Sequence, residues 1–119
     1  MENEKILHVD DSLVIRESVR RVIESWADEE GHQIIGSAAS AKEVEKLFEQ
    51  GMKPTVALVD NRCPNEGDGE LIAGIIKKFS PETVIVSLST STNVAWGDYH
   101  LQKDISGKDL VKFLTKLQH

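Results

Sequence analysis

Cysteine is nearly absent from this 119-residue chain. The single Cys63 cannot close an internal disulfide, and no Cys/His cluster with zinc spacing accompanies it. Basic charge is also in deficit. Lysine plus arginine number 14 against 20 acidic residues, and the resulting net charge of −6 argues against nucleic acid or an anionic membrane as the main partner. No long apolar run occurs: the longest, Leu71–Ile76 counting Gly74, is far too short to span a bilayer. The opening Met1-Glu2-Asn3-Glu4 lacks the basic start and apolar core of a signal peptide, so a cytoplasmic location is expected. Neither a repeat, a low-complexity stretch nor a linker interrupts the chain, and residues 1–119 are expected to form one domain. A chain of this length can bury a core without metal or disulfide staples.

What is present is alternation. Short β-rich runs recur at Lys5–Val9, Gln33–Ser37, Thr55–Val59, Thr83–Leu88 and Asp98–Gln102, and stretches of helical period lie between most of them. Ile15, Val19, Val22, Ile23 and Trp26 form the first helical stripe. The second opens on the capping pair Ser40 and Glu43, carries Ala41, Val44, Leu47 and Phe48, and ends at Gly51. The third starts near Glu70, places Leu71, Ile72, Ile75, Ile76 and Phe79 inward, and stops at Pro81. The last begins near Ser106 and Asp109 and buries Leu110, Leu114 and Leu117. Such alternation predicts an α/β fold, a parallel sheet with helices on both faces. Thr55–Val59, apolar at almost every position, reads as its central strand.

In open parallel sheets, chemistry collects beyond the C-terminal strand ends. Strand one ends in Asp10-Asp11-Ser12, strand three in Asp60, strand four in Ser89-Thr90 and strand five in Lys103. Three carboxylates on one rim repel unless a cation intervenes. Mg²⁺ suits them, since it takes one or two carboxylates together with phosphate oxygens and water. Lys103 adds a point charge for a phosphoryl oxygen, and Ser89 a hydroxyl donor. Each residue also has an ordinary role. Asp11 would cap the first helix, Asp60 would serve a turn before Asn61, Ser89 would belong to a polar loop, and Lys103 would be a solvated lysine. Together at four strand ends, they suit phosphoryl chemistry.

Ile6-Leu7-His8-Val9-Asp10-Asp11-Ser12, then Ala57-Leu58-Val59-Asp60 with Pro64 and Gly69 beyond, then Ser89-Thr90 and Lys103, resemble a response-regulator receiver domain over nearly the whole chain. The resemblance implies a doubly wound, flavodoxin-like five-stranded parallel sheet in the order 2-1-3-4-5. It implies that Asp60 accepts a phosphoryl group from a phosphohistidine on a sensor histidine kinase or phosphotransfer protein. By the same carry-over, Asp10, Asp11, Asp60 and the Arg62 carbonyl would hold Mg²⁺, Ser89 would bond the phosphoryl group, and Lys103 would pair with it. Ser89 and His100 would be the switch residues. Output is expected through binding an unidentified downstream protein.

The sequence departs from the family in four places. The stretch Pro64–Gly69 looks one residue longer than the usual loop, and Asp104 follows Lys103 where a proline is usual. His100 replaces a switch aromatic, and only nine residues, Ser89–Gly97, join strands four and five. Parallel neighbours usually need about a dozen residues or more for a crossover. The family's helix at that point is therefore predicted absent, or at most one turn near Asn93–Trp96. Tyr99 and Leu101 should face the last helix and His100 and Gln102 the opposite side, with Trp96 over part of the vacated face. Self-association at the strand four/strand five face is a further expectation.

Rival functions leave traces that can be checked. An aspartyl phosphatase would carry a second Asp two residues after the first, where this chain has Arg62. A calcium loop at Asp60–Leu71 would place Arg62 and Pro64 at ligand positions, and Gly67-Asp68-Gly69 lacks the third glycine of a dinucleotide fingerprint. The acidic loop after strand one would repel a flavin phosphate. The stronger rival is a phosphorylation-independent interaction module on the same fold. The shortened connection favours it, and the retention of Asp10, Asp11, Asp60, Ser89 and Lys103 opposes it.

Overall fold

The computed structural model describes residues 3–26, 31–63, 65, 67–90 and 95–117. Among the described residues five strands and four helices follow one another: β1 (Lys5–Val9), α1 (Leu13–Ser25), β2 (Gln33–Ala38), α2 (Ala41–Glu49), β3 (Val56–Asp60), α3 (Asp68–Phe79), β4 (Val84–Ser89), β5 (Tyr99–Gln102) and α4 (Gly107–Lys116). All strand pairs are parallel, in the order β2-β1-β3-β4-β5. Among the described residues no helix stands between β4 and β5, as the short connection predicts. Asn93, where a single turn was expected, lies outside the described residues, as does Pro64 of the lengthened loop.

Side chains alternate across the sheet and build two cores. Leu7, Val9, Ala57, Val59 and Ile85 meet Val44 and Phe48 of α2 and Ile72, Ala73 and Ile76 of α3. Ile6, Leu58, Val86 and Leu88 meet Ile23 of α1 and Leu110, Val111 and Leu114 of α4. Every residue of β3 is buried, which is why its sequence shows no polar face. His8 is also buried in β1, and neither ring nitrogen has a hydrogen-bond partner among the described residues. Burial, then Arg16, Lys103 and Arg20, push its pKa down to about 4, so it is a neutral core residue.

The helix starts follow their caps. Ser12, Ser40 and Ser106 each accept an N–H three residues on through the side-chain oxygen. Glu43 reaches back to accept the Ala39 N–H at 3.4 Å, one residue before the cap. The third helix begins at Asp68, two residues before the expected Glu70, after Gly67 at φ 91°. Two of its expected core positions are corrected: Leu71 is 63% exposed and Phe79 46%. The buried stripe is Gly69, Ile72, Ala73 and Ile76, which leaves Leu71 to one side. Phe79 stacks on Phe48 with ring centroids 5.2 Å apart.

On β5, Tyr99 meets Phe113 of α4 edge-on at 5.5 Å, and Leu101 packs into the core on that side. Trp96 packs against the opposite core, that of α2 and α3.

Candidate functional site

Two strand ends bring the predicted carboxylates together. Asp10 follows β1, Asp11 comes next, and Asp60 closes β3, with one oxygen of each within 4.8 Å of the others. Asp10 and Asp60 are buried and Asp11 is exposed. The turn chemistry that aims them is local. Asp10 Oδ1 accepts the Ser12 N–H at 2.9 Å, and Asp60 Oδ1 accepts the Arg62 N–H at 3.2 Å. The helix cap is Ser12, not Asp11, so the ordinary role for Asp11 is not the one it plays.

Lys103 enters from the far end of β5. Its Nζ donates to Asp60 Oδ2 at 2.7 Å and lies 3.3 Å from Asp10 Oδ2. The second contact is an ion pair outside hydrogen-bond geometry, so Asp10 Oδ2 stays buried without a donor among the described residues. Burial raises the Asp60 pKa, against the lowering by Lys103 and the Arg62 N–H, and the nearby Asp10 raises it further. Burial would lower the Lys103 pKa, but its bond to Asp60 and the charges of Asp10 and Asp60 outweigh this and raise it. The two directions agree physically: one ammonium faces more negative charge than it can neutralise.

The donor set fits a hard divalent cation. It is all oxygen, it includes a buried carboxylate oxygen without a hydrogen bond, and it retains negative charge after Lys103 is counted. Arg62 is brought to the site through its N–H. Ser89 is buried at the end of β4, and its carbonyl accepts the Lys103 N–H at 2.9 Å. His100 Nδ1 lies 2.9 Å from Ser87 Oγ on the neighbouring strand.

Two contributors escaped the sequence reading. Arg16 Nη1 donates to the Asp10 carbonyl at 2.6 Å, fixing the turn that carries both N-terminal aspartates. Its position four residues after the helix cap Ser12 was the available signal. Asn61 accepts the Trp96 indole N–H at 3.0 Å, and nothing in the sequence signals that contact. An open groove of about 1120 Å³, lined among others by Thr55, Lys77, Val84 and Asp98, lies at the N-terminal strand ends, away from this chemistry.

No family model matches the sequence, and no curated protein matches it. Solved structures do. A CheY-like response regulator receiver domain protein from Methanospirillum hungatei superposes with a TM-score of 0.79 at 22% identity, covering 97% of this chain and 93% of that one. The chain has the receiver-domain fold. The REC domain of the response regulator PhyR from Erythrobacter litoralis gives 0.77 at 16% identity, over 98% and 90% of the two chains. That of AraT from Geobacillus stearothermophilus gives 0.73 at 19% identity, over 97% and 95%. On this receiver fold the acidic cluster occupies the C-terminal rim of β1 and β3, where ligands of doubly wound sheets bind.

Proposed function

We propose that the protein is a phosphoacceptor of a two-component phosphorelay, taking a phosphoryl group onto Asp60 from a sensor histidine kinase or phosphotransfer protein. The observation that carries this reading is the buried Asp60 carboxylate bonded to Lys103, with Asp10 and Asp11 beside it. A carboxylate oxygen of Asp60 attacks phosphorus, the N–P bond of the phosphohistidine breaks, and the imidazole leaves with the bonding pair. Lys103 would pair with a phosphoryl oxygen, and the Ser89 hydroxyl would bond another. Asp10, Asp11, Asp60 and the Arg62 carbonyl would hold Mg²⁺, which when bound neutralises the charge on the transferring group. Positioning and charge neutralisation are most of what such transfer asks of a protein.

The acyl phosphate adds about −1.5 to −2 charges at one point. Ser89 and His100 are the proposed responders, and the β4–β5 face is the proposed surface for a downstream protein or for self-association. A cytoplasmic location accords with the kinase partner; no helix among the described residues is long and apolar enough to cross a membrane. The test is Mg²⁺-dependent labelling by acetyl phosphate, followed by intact mass, in wild type and Asp60→Asn. Labelling that needs Mg²⁺ and Asp60 supports the reading. A wild type that never gains the mass points to a phosphorylation-independent interaction module.

A further inference from the structure

Asp10 is hydrogen-bonded at every polar atom but one. Its N–H donates to the Ala38 carbonyl at 3.0 Å, its Oδ1 accepts the Ser12 N–H at 2.9 Å, and its carbonyl accepts from Arg16 Nη1 at 2.6 Å. Oδ2 keeps only the ion pair with Lys103 at 3.3 Å. Asp11 differs. It is exposed, and no hydrogen bond or ion pair among the described residues orients its side chain. Its placement therefore depends on its backbone, which is fixed on both sides. The peptide before Asp11 is held by Arg16 through the Asp10 carbonyl, and the N–H after it, that of Ser12, is held by Asp10 Oδ1.

Arg16 is suited to this by its place in α1. Its own N–H donates to the Ser12 carbonyl at 3.0 Å, so it closes the first turn. Side chains of an α-helix lean toward its N-terminus, and a long one at this point reaches back over the turn to the strand end. Arg16 is half-buried, and no carboxylate among the described residues pairs with it. Beside an acidic rim, its guanidinium bonds a neutral carbonyl and takes no carboxylate oxygen from the cluster.

We infer that Arg16 is a positioning residue of the cation site, holding the Asp10–Asp11 peptide in the arrangement that favours Mg²⁺ over Ca²⁺. This inference rests on the metal part of the phosphoacceptor reading. Mg²⁺ demands near-ideal octahedral geometry, whereas Ca²⁺ accepts longer and more variable bonds. A turn free to rotate about the peptide between Asp10 and Asp11 therefore costs the smaller ion more. Charge acts in the opposite sense. A guanidinium near the site repels any dication, so on charge alone its removal would tighten Mg²⁺ and Ca²⁺ together. The sign of the change separates positioning from electrostatics.

The test is competition of Mg²⁺ and of Ca²⁺ against Mn²⁺, followed by Mn²⁺ electron paramagnetic resonance on the unphosphorylated full chain. Arg16→Met keeps an unbranched stem and removes the bond. It should bind Mg²⁺ about tenfold more weakly, the scale on which partners of metal ligands act, with Ca²⁺ affinity changed less than about twofold. Arg16→Lys keeps the charge and can donate to the carbonyl without the planar fork, so it should lie between. Arg16→Met that binds Mg²⁺ as tightly as wild type, or more tightly, overturns the inference, as does an equal loss for both ions. If urea unfolding in chelator shows Arg16→Met unfolded, the same criteria apply to Arg16→Lys. The phosphoacceptor reading fails separately. A wild type that binds Mg²⁺ but gains no mass from acetyl phosphate overturns that reading and leaves the role of Arg16 standing. A wild type that binds none of the three ions overturns the cation site and this inference with it.

Discussion

Asp98 and Ile85 close on each other twice: the Ile85 N–H donates to Asp98 Oδ2 at 2.8 Å, and the Asp98 N–H donates to the Ile85 carbonyl at 2.8 Å. The pair fastens the chain to β4 one step before the β4–β5 ladder opens at Val86 and Tyr99. Lys77 of α3 adds an ion pair to Asp98 at 3.0 Å and bonds the Thr83 carbonyl at 2.7 Å. Three elements are thus tied where a crossover helix would otherwise have fixed the strand.

The first prediction follows from this tie. Burial raises the Asp98 pKa, but the Ile85 N–H and Lys77 lower it more, so the carboxyl lies below its ordinary value of 3.8. A carboxyl depressed by folding contributes stability that is complete above the unfolded pKa and is lost as pH falls through the folded one. Because the side chain is 45% exposed, the charge is worth no more than about 1 kcal/mol. Urea unfolding should show Asp98→Asn less stable than wild type at pH 7, with the gap closing below about pH 4. A gap independent of pH would assign the loss to packing instead.

Asp60→Asn should stabilise the metal-free protein. The raised Asp60 pKa means that folding penalises its charge, even with Lys103 at 2.7 Å. An amide removes the repulsion from Asp10, which keeps its own ion pair to Lys103. Thermal melts in chelator should place the variant above wild type, and added Mg²⁺ should raise wild type more than the variant. Equal responses to Mg²⁺ would remove Asp60 from the metal site.

Arg62 bears on the lifetime of the acyl phosphate. It stands two residues after the acceptor, is exposed, and remains a cation at any working pH, so it cannot serve as a base for water. We propose that its bulk and charge shield the phosphoryl group. Arg62→Asn should therefore lose the label faster once the phosphodonor is removed. A hydrolysis rate that is unchanged or lower would show that Arg62 shields nothing.

Much of this architecture was legible because it rests on local pattern. Ser40 and Ser106 announced helices that they do cap, and the apolar run of β3 announced a strand buried on both faces. Counting residues after Ser89 was enough to expect no full helix before β5, and none stands there among the described residues. Lys103 was less legible alone, since only the sheet order places β5 beside β4 and brings its ammonium to Asp60. The Trp96 bond to Asn61 and the Arg16 bond to the Asp10 carbonyl depend on how loops fold back, and no sequence period encodes that. Leu71 was misread because a helix this apolar offers more hydrophobic positions than the sheet can cover.

Two glycines in α3 give opposite forecasts from one substitution. At Gly74 an added Cβ meets nothing within 4 Å, so Gly74→Ala gains only the helix preference of alanine, about 1 kcal/mol. At Gly69 the same methyl would collide with the Asp60 carbonyl, and it would stand 2.7 Å from Trp96 Cζ2 and 2.8 Å from Asn61 Cα. Two of these three obstacles are backbone of the acceptor strand end, so no side-chain rotation relieves them. The start of α3 would have to move off β3, stretching the Gly69 N–H bond to the Asn61 carbonyl, now 3.2 Å. Overpacking of this kind costs about 1–3 kcal/mol and exceeds the helix gain. Denaturant unfolding should thus rank Gly74→Ala above wild type and Gly69→Ala below it, with the labelling of Asp60 slowed only in the latter. Gly69→Ala at wild-type stability would mean that α3 does not rest on the acceptor strand as closely as these contacts require.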